Sequence, residues 1–382
     1  MIVSTAFDNI LLFLILILWL VQGDIRNKLN SIKDNHVILA PIIYLTVIIL
    51  GISWADDIDK AFKIIDKQSI ILALPVIYTS FKRENLENVF VAFSIVGFIS
   101  AIMSFVLYFG IASWSDRSVE YPIPFVRHIS FNTMLSFAII FLLNRVFYKK
   151  IKGKERIYYF ISILIMSLSV FITRSRAGMI AFLFMCFIWT IYYFRNNYKA
   201  MLKSFSVILI VLIIAIVIFA DLRKRIDEAY KEIINYKPNV YSSVGARFTF
   251  AMNSWELTKK FWPLGTGTGG FEKNYKIVNK KNTPDVDETV NPHNNYLFVL
   301  VQLGFPGILV FLNIFFQQIL FFFKKGIEDE FNVFRIMLPL VFMLICLSDS
   351  YLFGHHTQLF FMLMTAILYR SKSEISNNHK KI

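Results

Sequence analysis

Short polar interruptions divide the chain into about eleven apolar runs, most of them close to the roughly 20 residues that an α-helix needs to cross a hydrocarbon layer. The runs cover 7–22, 35–53, 67–81, 87–110, 129–147, 157–172, 177–194, 202–220, 296–323, 332–349 and 356–370. A bilayer core offers no water to backbone N–H and C=O groups, so such runs must satisfy them internally, as helices do. The expected fold class is an all-α polytopic membrane protein. Composition agrees: 56% of the residues are hydrophobic and 17% charged, where soluble domains carry about 45–50% and 25%. The third and sixth runs are short, and Pro75 is expected to kink the third.

The net charge of +14 does not point to nucleic acid. The basic residues sit in short clusters between apolar runs, as topology determinants do, and no zinc spacing, basic heptad or RNA-binding aromatic motif accompanies them. Alternate short loops hold 21 Lys and Arg residues, and the other short set holds 7. The positive-inside rule then places the C-terminus in the cytoplasm and the N-terminus outside. The first run is expected to be a retained helix, because Met1–Asn9 has no Lys or Arg and no small-residue cleavage site follows. Cys186 and Cys346 lie inside apolar runs, which argues against a structural disulfide.

Three regions follow: an N-terminal helical bundle over 1–220, an outer hydrophilic loop over 221–292, and C-terminal helices with a short cytoplasmic tail over 293–382. About 70 residues is too long for a passive connector. Within the loop, Asp221–Tyr236 reads as a polar surface helix, and Ala246–Phe261 as a helix stopping at Trp262-Pro263. A glycine-rich turn and a Lys/Asn-rich stretch come next.

Positive charge on the outer side needs a reason. Thr173-Arg174-Ser175-Arg176-Ala177-Gly178 joins two apolar runs with almost no loop. Its guanidiniums suit bidentate binding of phosphate, or they snorkel to lipid headgroups. Arg127 and His128 open the next outer mouth, as an anion site or as an ordinary polar helix start. Arg247 and Trp255 precede Gly265, Gly267 and Gly269, glycines that allow close approach to a ligand or tight turns. His293 lies in Asn291-Pro292-His293-Asn294-Asn295 at a helix start. A free histidine titrates near 6.5 and can take a proton from a hydroxyl. His355 and His356 read as structural. No metal-ligand spacing and no Ser-His-Asp order is legible.

Together, Arg-Ser-Arg-Ala-Gly, Arg247 with Trp255 and Pro-Leu-Gly-x-Gly-x-Gly, and Pro-His-Asn-Asn-Tyr-Leu ahead of Leu-Gly-Phe-Pro-Gly resemble the O-antigen ligase family of the ligase/polymerase superfamily. The resemblance runs from about Tyr121 to Tyr351. It implies a metal-independent, inverting glycosyltransferase of the bacterial inner membrane, with no cofactor, that moves a glycan from undecaprenyl diphosphate to lipid A–core on the periplasmic face. It implies diphosphate binding by Arg127, Arg174, Arg176 and Arg247, catalysis by Arg176, Arg247 and His293, and support from His128, Asn294, Gly265 and Gly267. A polymerase of the same superfamily is the alternative, and a lipid-linked glycan transporter is the alternative of another class. The chain departs from the family in having about eleven helices where twelve are usual, and in having Gln302 where Glu is common.

Overall fold

The computed structural model describes residues 5–114, 117–126, 128–149, 151–173, 175–218, 220–237, 242–324 and 329–370. The helices are α1 (Thr5–Val21), α2 (Ile25–Lys33), α3 (His36–Leu50), α4 (Ile58–Gln68), α5 (Ala73–Ser80), α6 (Leu86–Tyr108), α7 (His128–Tyr148) and α8 (Gly153–Ile172), then α9 (Arg176–Phe194), α10 (Tyr198–Ile218), α11 (Ala220–Ile234), α12 (Ser243–Lys260), α13 (Phe271–Asn282), α14 (Asn295–Phe323), α15 (Asn332–Ile345) and α16 (His355–Leu368). Among the described residues there is no β-strand, so the all-α expectation holds.

Every expected span coincides with a helix, but fewer than eleven have membrane-spanning length. Among the described residues seven are long and apolar enough, or eight if α1 and α2, bent by 114°, form one span. The run at 67–81 breaks into a 3₁₀ turn, Ser69–Leu72, and the eight-residue α5. Helices α15 and α16 have 14 residues each, about 21 Å at 1.5 Å per residue.

The chain forms two compact units, each assembled from separate stretches. The first comprises residues 1–8, 82–226 and 326–337. At its centre α7 is 72% buried over its apolar span, whereas α10 is 6% buried. An apolar helix exposed nearly all round is stable only with lipid against it. Helix α9 approaches α7 closely at Gly178, where an added Cβ would lie 2.3 Å from Asn132 Cβ. Arg83 and Arg335 both pair with Asp329, and Arg145 and Lys149 with Glu87.

The second unit comprises residues 9–81, 227–325 and 338–382. Here α3 packs along α14, with the rings of Tyr44 and Phe311 5.4 Å apart. Buried amides bridge its helices: Asn35 donates to the Tyr369 carbonyl at 2.8 Å and the Tyr78 hydroxyl at 3.1 Å. Gln358 donates to Gln68 Oε1 at 3.0 Å.

Helix α14 is two helices joined at Gly304, whose φ of 60° is non-helical. A break strands backbone groups that need new partners. The glycine turn after α12 supplies them. Thr266 N–H donates to the Val301 carbonyl at 2.9 Å, and the Pro263 carbonyl accepts from Phe305 N–H at 2.8 Å. The same turn caps the end of α3, with Thr268 donating from Oγ1 to the Ile48 carbonyl at 2.6 Å and from N–H to the Gly51 carbonyl at 3.0 Å.

Candidate active site

The mouth of α14 is built by asparagines. Asn294 is its N-cap, accepting the Leu297 N–H at 3.1 Å and donating to the Leu347 carbonyl at 3.2 Å. Asn295 is buried; its N–H reaches the Cys346 carbonyl at 2.8 Å, and its Oδ1 accepts the Leu352 N–H at 3.2 Å. Asn291 Oδ1 accepts from the His293 N–H at 2.9 Å and from Ser350 Oγ at 2.5 Å. All three side chains are thus used in fastening this turn to residues 346–352.

His293, left among them, has φ of 51°, an uncommon conformation for a side-chain-bearing residue, held only where the surroundings over-determine it. Its Nδ1 lies 3.1 Å from Asp349 Oδ1. An ionised carboxylate can only accept, so Nδ1 carries the proton, and whenever the ring is neutral Nε2 presents a lone pair. The ring stacks on Phe250 of α12, with centroids 5.8 Å apart and planes at 24°. The side chain is still 38% exposed, so Nε2 can meet a substrate.

Burial pushes the Asp349 carboxyl upward, but the hydrogen bond and charge of His293, the Ser350 N–H at 2.7 Å and the charge of Arg247 outweigh it and hold the group below the usual carboxylate range. Arg247 is exposed on α12, one turn before Phe250 and on the same face of the helix. Ser242 fixes the start of that helix by accepting the Gly245 N–H at 3.0 Å. The unit therefore gathers an oriented imidazole, a half-buried carboxylate and a solvent-facing guanidinium. That set can accept a proton and stabilise a neighbouring anion.

Gly265 and Gly267 belong to the turn that holds α14's break. Their φ values are 76° and 82°. An added Cβ would lie 2.6 Å from Gln302 backbone at Gly265 and 2.4 Å from Ala55 Cα at Gly267. Their tight approach is to the chain's own backbone. Gln302 joins the same packing, accepting the Gly269 N–H at 2.7 Å and donating to the Phe298 carbonyl at 3.2 Å. An amide makes both bonds, where an ionised Glu could only accept.

In the first unit, Arg176 is the first residue of α9, just after the N-cap Ser175, whose Oγ accepts the Gly178 N–H at 3.2 Å. A guanidinium there adds to the positive end of the helix dipole, an arrangement suited to an anion. Thr173 and Asn132 fasten this end to α7 through a 2.7 Å hydrogen bond. His128 begins α7. Arg127 and Arg174 lie outside the described residues. Among the described residues no three His, Cys, Asp or Glu side chains are grouped to hold a metal ion. His355 and His356, at the start of α16, lie edge to face at 5.3 Å.

Asp349 was not legible as a partner. It ends an apolar run and lies 56 residues after His293. The available signal was that it is the sole acid between Glu330 and Glu374.

Residues 161–312 match a family model described as O-antigen ligase. The matched stretch is less than half of the chain; it includes Arg176, Arg247, the glycine turn and His293, and stops short of Asp349. No curated protein matches the chain.

Proposed function

We propose, from the match of residues 161–312 to an O-antigen ligase family model, that this multi-pass membrane protein transfers a glycan from undecaprenyl diphosphate to lipid A–core on the periplasmic side of the bacterial inner membrane. The observation that carries the reading is the His293–Asp349 pair beside Arg247. A lone histidine in a loop could be structural; one held in a left-handed turn by Asn291, with its ring oriented by a half-buried carboxylate, has the form of a general base.

In the proposed reaction His293 Nε2 takes the proton of the acceptor hydroxyl. That oxygen forms the new bond to the anomeric carbon from the face opposite the leaving group. The bond from that carbon to the diphosphate oxygen breaks, and undecaprenyl diphosphate departs with the electron pair. Asp349 stabilises the imidazolium, and Arg247 the growing negative charge. Arg176, with Arg174 and Arg127, keeps the diphosphate-binding role that the family resemblance implies. Guanidinium charge neutralises the leaving group in this proposal, so transfer persists in excess chelator.

Lipopolysaccharide gels from a ligase-null strain complemented with variants test it. His293→Ala and Arg176→Ala are expected to abolish capped lipid A–core while the protein stays in the membrane. Arg176→Lys is expected to lose most activity, because an ammonium cannot reproduce a bidentate contact. Normal ladders from both alanine variants reject the assignment. Longer lipid-linked chains in place of capped core would identify a polymerase.

A further inference from the structure

The face of α12 turned away from Arg247 and Phe250 closes a second cavity. At about 3.6 residues per turn, Thr249, Met252, Glu256 and Lys259 fall opposite those two residues, with Asn253 and Trp255 at the two edges. The cavity measures about 500 Å³ and is completed by Tyr236, Asn282 and Thr283.

Its floor is a polar network whose members order one another. Buried Asn253 donates to Thr283 Oγ1 at 2.9 Å and accepts from Asn282 Nδ2 at 3.3 Å. Asn282 also donates to Glu256 Oε2 at 2.6 Å, and the Tyr236 hydroxyl meets Thr249 Oγ1 at 3.1 Å. Its rim is open and apolar: Trp255 is 53% and Met252 58% exposed. An exposed indole alone means little. Next to a fixed carboxylate–amide pair it makes a flat apolar surface beside oriented donors and acceptors. A pyranose has the matching form, an apolar C–H face rimmed by hydroxyls. A phosphate does not fit, since Lys259 is the one cation among the described residues lining the cavity and the Glu256 carboxylate lines it too.

We propose that this cavity is a saccharide subsite, filled by a sugar of the donor or acceptor glycan that is not itself at the reacting bond. The inference rests on the glycan-transfer reading. The body of α12, about 10 Å across, separates the cavity from the His293 face, so the bound sugar lies about two residues from the linkage being made.

Saturation-transfer NMR on the full-length protein in nanodiscs tests it with two probes. One is the oligosaccharide released by mild acid from the lipid-diphosphate donor; the other is purified core oligosaccharide. One probe is expected to bind wild type and His293→Ala equally, and Trp255→Ala and Asn282→Ala about tenfold more weakly; which probe does so identifies the source. Trp255→Phe, which keeps a ring and the fold, is expected to retain most binding. Absence of binding by both probes, or equal binding by wild type and Trp255→Ala, overturns the proposal. The readout needs no turnover, so binding that persists in a protein inactive as a transferase would reject the catalytic reading and leave the subsite standing.

Discussion

Asp349→Asn replaces one oxygen by an amide nitrogen and keeps the shape of the His293 pair. It removes the charge that fixes the imidazole tautomer, so transfer is expected to fall about a hundredfold or more in a reconstituted assay, with membrane content unchanged. The same carboxylate predicts a pH dependence. Its folded pKa is depressed, so its contribution to stability is complete above about pH 4, the unfolded value, and disappears as pH falls through the folded value. Thermal unfolding of wild type and Asp349→Asn in detergent should differ above about pH 4 and converge as pH falls below it. A gap that persisted undiminished well below about pH 4 would contradict the pairing. At this scale His293, Arg247 and Arg176 stood out as candidates, because a proton acceptor or a guanidinium at a helix mouth is conspicuous among apolar runs; the fold gathers His293 and Arg247 in one unit and leaves Arg176 in the other. Asp349 was not, because a single acid at the end of such a run carries no periodic signal, and only the folded chain brings it 3.1 Å from its partner.

Among the elements, the joint between the glycine turn and the broken α14 is the most demanding. A Cβ on Gly304 would lie 1.9 Å from the Pro263 carbonyl oxygen, whereas one on Gly23, also at positive φ, meets nothing within 4 Å. Gly304→Ala is therefore expected to remove folded protein on size-exclusion chromatography, while Gly23→Ala, which adds conformational strain alone, should not. Asn294→Ala removes a helix cap and should cost about 1 kcal/mol, seen as a lowered Tm with the His293 pair still formed. The long helices were readable from apolar length alone. Helix α13 was missed, because Phe271–Asn282 carries Lys and Asn at many positions and its apolar side, Phe271, Tyr275 and Val278, is short. Its burial against α12 and α14 supplies what its sequence lacks. The third run failed as one span because its fifteen or so residues split at the Ser69–Leu72 turn.

For the molecule as a whole, orientation rests on loop charge, and several of the counted cations are engaged by the protein itself: Arg83 and Arg335 by Asp329, Arg145 and Lys149 by Glu87. Positive-inside bias depends on these charges during insertion, before the pairs form. Cysteines placed at Asn197 and Asp285, in a chain whose two native cysteines are replaced, are expected to label from the cytoplasmic and outer sides respectively. Labelling of both from one side would refute the topology and with it the proposed site. The compact units were not legible as units, since each collects distant stretches of chain, and the pair at the mouth of α14 joins residues that synthesis separates by 56 positions. His293 is synthesised 56 positions before Asp349, so under the proposed reaction the imidazole gains its orienting carboxylate only once the last apolar segments have been made.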